Sequence, residues 1–147
     1  MYFSQKMRIM HSNHGDSDKF LVFFENMPYY KIDELKEACR KRNVVFIGSS
    51  VTDATYFGFI GKEAVCSYLG SPMFKPTEFV NSKPWENNPD PDHEIIVDAY
   101  HFMVEGKTGY LAFFYNDRTQ KWIIKSFHRE VNTTDTYHPF RNLKILD

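Results

Sequence analysis

The chain has 147 residues, one domain's length, which leaves no room for two full domains or a large cofactor-binding architecture. Hydrophobic residues make up 42% and charged residues 25%, a balance that excludes wholesale disorder and supports a real core. A formal net charge of −1 excludes a surface that is basic throughout, but not a local cationic site balanced by acid elsewhere.

Aromatic residues are in excess, with 14 Phe, 9 Tyr and 2 Trp, which predicts a β-rich core with rings to spare for a binding surface. Cys39 and Cys66 are too few for a disulfide scaffold or a cysteine zinc site and read as free thiols of a reducing compartment. No apolar run approaches the ~18 residues of a membrane span. Met1-Tyr2-Phe3-Ser4-Gln5-Lys6 lacks the apolar centre of a signal peptide. The expectation is a soluble cytoplasmic protein that does not engage a membrane.

Residues 1–19 are polar, with a turn-like stretch at His11–Asp16, and residues 20–24 read as a short buried strand. A helix is expected over 33–42, with Asp33 as N-cap, Ile32, Leu35 and Cys39 on one side, and Lys41 and Arg42 at its C-terminal end. A β-prone piece follows at 44–47. A short helix is expected over 51–57, with a capping arrangement of Ser50 and Asp53 and a stop at Gly58. A second helix is expected over 61–69, with Ala64, Val65, Tyr68 and Leu69 as its apolar side and Gly70 ending it.

Pro72, Pro76, Pro84, Pro89 and Pro91 make 71–93 read as loop. The span 86–98 carries Glu86, Asp90, Asp92, Glu94 and Asp98 with no Lys or Arg, and reads as a solvated acidic loop. Residues 94–104, 109–115 and 121–128 are rich in Ile, Val, Tyr, Phe and Trp, with turns at Gly106 and Asn116-Asp117. They predict an antiparallel meander. Helices precede the meander, so the fold class is α+β in a single domain. Residues 129–147 form a mixed tail interrupted by Pro139.

A Gly-rich phosphate loop, a His-Glu-x-x-His pair, a Gly-x-Ser-x-Gly elbow and an EF-hand loop are all absent. His11 and His14, with Asp16 and Asp18 close by, have a spacing seen in metal sites, but such pairs are common in polar surface loops. The stretch Lys121–Arg129 is more informative. Regular strand alternation places Ile123, Lys125, Phe127 and Arg129 on one face and Trp122, Ile124, Ser126 and His128 on the other. A sheet face carrying cations and aromatics can hold a phosphate and stack a base; an ordinary half-exposed strand with snorkelling Lys and Arg has the same pattern.

Four stretches, in order, resemble the MqsR-type toxins of the RelE-like ribonuclease group. Lys31–Ala38 is similar to the family's opening helix, and Phe57-Gly58 stands where the family has Leu-Gly. The helix at 61–69 runs into Leu69-Gly70-Ser71-Pro72-Met73-Phe74-Lys75, like the family's helix, Leu-Ser turn and Phe-x-Lys segment. Val97-Asp98-Ala99-Tyr100, Gly109-Tyr110-Leu111-Ala112 and Ile124-Lys125-Ser126-Phe127-His128 follow the family's three strands, with Val97 in place of a family Gln. The resemblance covers about two thirds of the chain and leaves residues 1–30 as an N-terminal extension and 130–147 as a tail.

The resemblance implies a RelE-like sheet and an endoribonuclease of toxin–antitoxin type that needs neither metal nor cofactor. It implies RNA as partner, including ribosome-associated mRNA, and an antitoxin-like protein that restrains it. In this reading Lys75 is a phosphate-stabilising cation, Tyr110 orients or protonates, and His128 stands where the family has a strand-terminal Lys. A His there suits proton transfer near neutral pH. Lys125, Arg129 and Tyr100 are the candidate substrate-binding residues.

Two other classes fit the composition. One is a non-catalytic inhibitor of the kind carried by phages and mobile elements, binding a host protein through aromatic residues and the acidic 86–98 span. The other is a small-ligand protein with a closed apolar pocket. Convergence of Lys75, Tyr110 and His128 on one concave face would separate the ribonuclease from both.

Overall fold

The computed structural model describes residues 27–131. The strand expected at 20–24, the His11/His14 pair and the C-terminal tail lie outside the described residues.

Helix α1 is Ile32–Arg40. It starts one residue earlier than expected: Lys31 holds the cap position, and Asp33 lies in the first turn, where its charge complements the helix dipole. Leu35, Ala38 and Cys39 form its buried side. Strand β1, Val44–Phe46, follows. The expected helix over 51–57 divides into α2, Ser50–Asp53, and a 3-10 turn, Ala54–Phe57, which stops at Gly58 with φ 92°. That left-handed conformation costs glycine nothing sterically. The cap is one residue earlier than expected, at Ser49, whose hydroxyl donates to Asp53 Oδ2 at 2.6 Å. Helix α3 is Gly61–Leu69, as expected, and buries Val65, Cys66 and Leu69.

The loop expected over 71–93 is overturned in its middle. Pro76–Pro84 is strand β2, paired antiparallel with β3, Ile96–Val104. Prolines suggested a loop because they cannot donate to a ladder; here they stand at the two ends of an edge strand, where that loss is tolerated. Strands β4, Lys107–Asn116, and β5, Lys121–Arg129, complete the sheet. Glu105 and Gly106 both have positive φ in the tight turn between β3 and β4. The Asn116 side-chain oxygen accepts from the backbone of Arg118 and Thr119 in the next turn.

The sheet has five strands in the order β1-β5-β4-β3-β2. Strands β2 to β5 run antiparallel to their neighbours, while β1 pairs parallel with β5. The fold is therefore α+β, as expected, but with a mixed sheet rather than a pure meander.

The helices cover one face. Leu35, Val65, Leu69 and Phe74 meet Tyr100, Phe102, Leu111, Phe113, Ile124 and Phe127 there. The Phe102 ring stacks on Phe127 at 4.8 Å and lies over Gly109, where any Cβ would come within 2.2 Å of it. Among the described residues, the other face is open across its middle. At one end the connection after β2 folds over it, setting Trp85 against Phe114 at 4.9 Å beside Ile95 and Ile123.

The acidic span 86–98 is only partly the solvated loop expected. Glu86, Asp92 and Glu94 are exposed. Asp90 pairs with Arg118, and His93 Nε2 meets Asp117 at 2.8 Å, which ties the connection to the β4–β5 turn. Asp98 is fully buried. Its carboxylate accepts the backbone N–H of Tyr29 at 2.9 Å and of Tyr30 at 2.8 Å. Tyr30 in turn donates its hydroxyl to Ile96 O at 2.7 Å and packs on Trp122. One buried carboxylate thus pins the segment leading into α1 to the sheet. Asp98→Asn keeps the shape but sets an amide NH2 against a backbone donor. It should cost about 1–3 kcal/mol, read as a lower urea midpoint at unchanged m-value.

Candidate functional site

The open face is built by lateral neighbours. Across the strands, Glu78 of β2 lies opposite His101 of β3, His101 opposite Tyr110 of β4, and Tyr110 opposite His128 of β5. The rings of Tyr110 and His128 stack, with centroids 5.1 Å apart and planes 19° from parallel. His101 Nδ1 meets Glu78 at 2.8 Å and its Nε2 meets Glu130 at 2.7 Å. This triad joins β2, β3 and the residue after β5.

The hydrogen bonding of His128 defines its chemistry. Its Nδ1 lies 2.7 Å from the carbonyl oxygen of Arg129. A carbonyl only accepts, so Nδ1 carries the proton and the neutral ring keeps its lone pair on Nε2. Among the described residues nothing bonds to that Nε2, which leaves it available as a base. Burial pushes the Tyr110 hydroxyl above its ordinary value, and the Glu130 charge adds to the shift. Tyr110 is therefore a neutral donor around pH 7, not a base.

The alternation expected along β5 fails at one point. Ala112 pairs with Ser126 and Phe113 with Ile124, so Lys125 is an extra residue in β5. This β-bulge resets the alternation. Ile124 and Phe127 both enter the helix-covered core. Lys125 does not share the face of Phe127; it lies on the open face with Tyr110 and Ala112. The structure thus brings Lys125, Tyr110 and His128 together. Arg129, one residue beyond His128, is exposed and by alternation points to the opposite face.

Two expected site residues do not join them. Tyr100 is buried on the helix side, stacked on Phe113 at 6.1 Å, and burial pushes its hydroxyl up to about 12. Val97-Asp98-Ala99-Tyr100 alternates, and Tyr100 falls on the same side as buried Phe102. Lys75 is exposed immediately before edge strand β2. With β3 and β4 between β2 and β5, the Lys75 backbone lies three inter-strand steps, about 14 Å, from that of His128.

Sequence reasoning missed His101, Glu78, Lys83 and Glu130. Glu78 and Lys83 sit on a strand that the prolines disguised. His101 stands one residue after Tyr100 and so takes the open face that Tyr100 does not; once β3 and β4 are paired, its place beside Tyr110 follows from register. Among the described residues no group of three His, Cys, Asp or Glu is arranged to hold a metal ion, and no helix is long and apolar enough to cross a membrane.

No protein-family model matches the chain, and no curated protein or solved structure matches it either.

The bulge generates a sharp expectation. Without Lys125, Ser126 still faces Ala112 and Ile124 still faces Phe113, so the strand becomes regular with Phe127 in the core and His128 on Tyr110. Deleting Lys125 should therefore be tolerated within about 1–2 kcal/mol, despite its position inside an interior strand. Deleting Ile123 should unfold the protein, because Trp122 would turn out of the core. Thermal melts and near-ultraviolet circular dichroism of the two deletions check this.

Proposed function

We propose that the open sheet face cleaves RNA by attack of a ribose 2′-hydroxyl on the adjacent phosphorus, without metal or cofactor. The observation that carries this reading is the stacked Tyr110–His128 pair with Lys125 on the same face. His128 Nε2 takes the 2′-hydroxyl proton. The new O–P bond forms as the bond to the 5′ oxygen breaks, leaving a 2′,3′-cyclic phosphate and a 5′-hydroxyl. Tyr110 donates its proton to the departing 5′ oxygen, and exchange with water then returns a proton to the Tyr110 phenolate and takes one from the His128 imidazolium. Lys125 lies on the side of the pair away from Glu130 and offsets the negative charge that builds on the phosphate oxygens.

This assignment uses three of the expected groups; Lys75, which precedes the far edge strand, has no step in it. A RelE-like sheet, ribosome-associated mRNA as substrate and an antitoxin-like partner belong to the same proposal, as does action in the cytoplasm.

The position of Lys75 is also what a second reading expects. In that reading the chain is a non-catalytic inhibitor of the type carried by phages or mobile elements, and it binds a host protein beside the exposed Glu86, Asp92 and Glu94. The two readings part on catalysis.

The experiment is cleavage of a short labelled RNA by the purified protein. His128→Ala should lower the rate by about 10²–10⁴-fold, and Tyr110→Phe should lower it as well, with both variants folded by circular dichroism. A substrate with a 2′-deoxy sugar at the cut site should stay intact. Cleavage that survives His128→Ala or the deoxy sugar would overturn the mechanism. An inert wild type that binds a host protein, with binding weakened by charge reversal at Glu86, Asp92 and Glu94, would favour the second reading.

A further inference from the structure

Beside the Tyr110–His128 pair, toward β2, the open face sinks into a pocket of about 150 Å³, room for about five waters. Its floor is Ala112, the residue across from the bulge, so the depression exists because the side chain there is small. Lys125 and Tyr110 form one wall, Asn81 and Lys83 the opposite one, and Trp85 closes the end, where Glu86 places one carboxylate against the two lysines.

Three features of this lining point in one direction. Lys83 and Lys125 project from strands on either side of the pocket, and among the described residues neither has an ion pair or hydrogen bond, so both charges are unspent. The Trp85 indole packs on Phe114, which holds it in place as a wall against which a planar ring can lie. Asn81 adds an amide with both donor and acceptor capacity. A planar ring wall, an amide and two lysines together suit a ligand that carries a flat heterocycle and a phosphate. Free phosphate would leave the indole unused, and an apolar ligand would leave the two ammonium groups without partners.

We infer that this pocket is a nucleotide subsite: it seats one nucleobase against Trp85 and draws that nucleotide's phosphate between Lys83 and Lys125. The inference rests on the proposal that the open face takes RNA, and extends it by naming where a single nucleotide is gripped. The seated nucleotide adjoins the reactive pair, since Tyr110 belongs both to the pocket wall and to the stack with His128. The pocket therefore positions the scissile phosphate and supplies a base preference through Asn81 and Trp85.

The test is titration of the full chain with adenosine 3′-monophosphate, followed by tryptophan emission and by calorimetry, with adenosine and inorganic phosphate as separate probes. Saturable quenching is expected for the nucleotide, with each partial probe at least tenfold weaker. The Lys83→Ala/Lys125→Ala double variant should lose at least tenfold in affinity, and that loss should shrink as salt is raised. Trp85→Phe should remove the quenching while calorimetry still detects weakened binding, because buried Trp122 remains as a reporter that the fold is intact. Absence of saturable nucleotide binding, or equal affinity in the double-lysine variant, would overturn the inference. The outcomes separate from those of the cleavage assay. RNA cleavage that needs His128 but is indifferent to Lys83 and Trp85 would leave the ribonuclease standing without this subsite. Nucleotide binding as described by a protein that cuts no RNA would keep the subsite and remove the ribonuclease.

Discussion

Ile124 and Phe127 both belong to the helix-covered core, yet they stand three residues apart in an extended strand, where regular alternation sends them to opposite faces. The extra residue at Lys125 resolves the conflict. Each of these side chains contributes about 1.5–3 kcal/mol on burial, far more than the local disruption of one ladder position. Burial therefore dictates the bulge, and the bulge dictates the site. It keeps Ser126 opposite Ala112 and His128 opposite Tyr110 while bringing Lys125 to their face. The candidate chemistry is thus a by-product of how two core residues are accommodated.

The same economy governs which face is free. The segment before α1 is fastened by the Asp98 carboxylate to the helix-covered side of β3, and α1 and α3 then close over the aromatic core. Among the described residues, the opposite face is covered at one end, where the connection after β2 sets Trp85 and where Ile47 also packs. Its middle is left with small floor residues and polar walls. That arrangement exposes lateral neighbours from four strands to a common ligand, so side chains distant in sequence come together by register alone. The carboxylates at Glu78 and Glu130 are already engaged by His101, which keeps the row rigid.

Much of this was legible in the residues. Helices α1 and α3, the Gly58 stop and the three long strands follow from periodicity and turn chemistry. Tyr110 and His128 come from the family resemblance alone; their stacking follows from the β4–β5 register. The departures have physical causes. Strand β2 was hidden because proline argues against a ladder, yet an edge strand tolerates it at both ends. Tyr100 is a site candidate through the resemblance, and Asp98 is read into a solvated loop from composition; neither carries facing, and in β3 both fall on the core side. The faces of β5 were misassigned beyond Ile124 because alternation assumes an unbroken ladder, and a bulge is decided by the partner strand. His101 had no local signal, since its neighbours come from other strands.

A chain with a net charge of −1 is an unlikely-looking host for a polyanion, but net charge is the wrong measure for a site this small. At about 10 Å screening length, a bound phosphate responds to the groups on its own face. Those groups are graded along the strands. The engaged Glu78–His101–Glu130 triad lies at one end, the Tyr110–His128 pair comes next, and Lys125 and Lys83, without an ion pair among the described residues, lie beyond. For a polyanion of the kind proposed, attraction would lie at the lysines and repulsion at the carboxylates, which would orient it along the strands. Glu86 lines the pocket beside the lysines, and Asp92 and Glu94 are exposed on the connection that follows, so the cationic stretch is short. A slightly acidic protein with a short cationic stretch is in this sense better suited to gripping one nucleotide than a uniformly basic one would be.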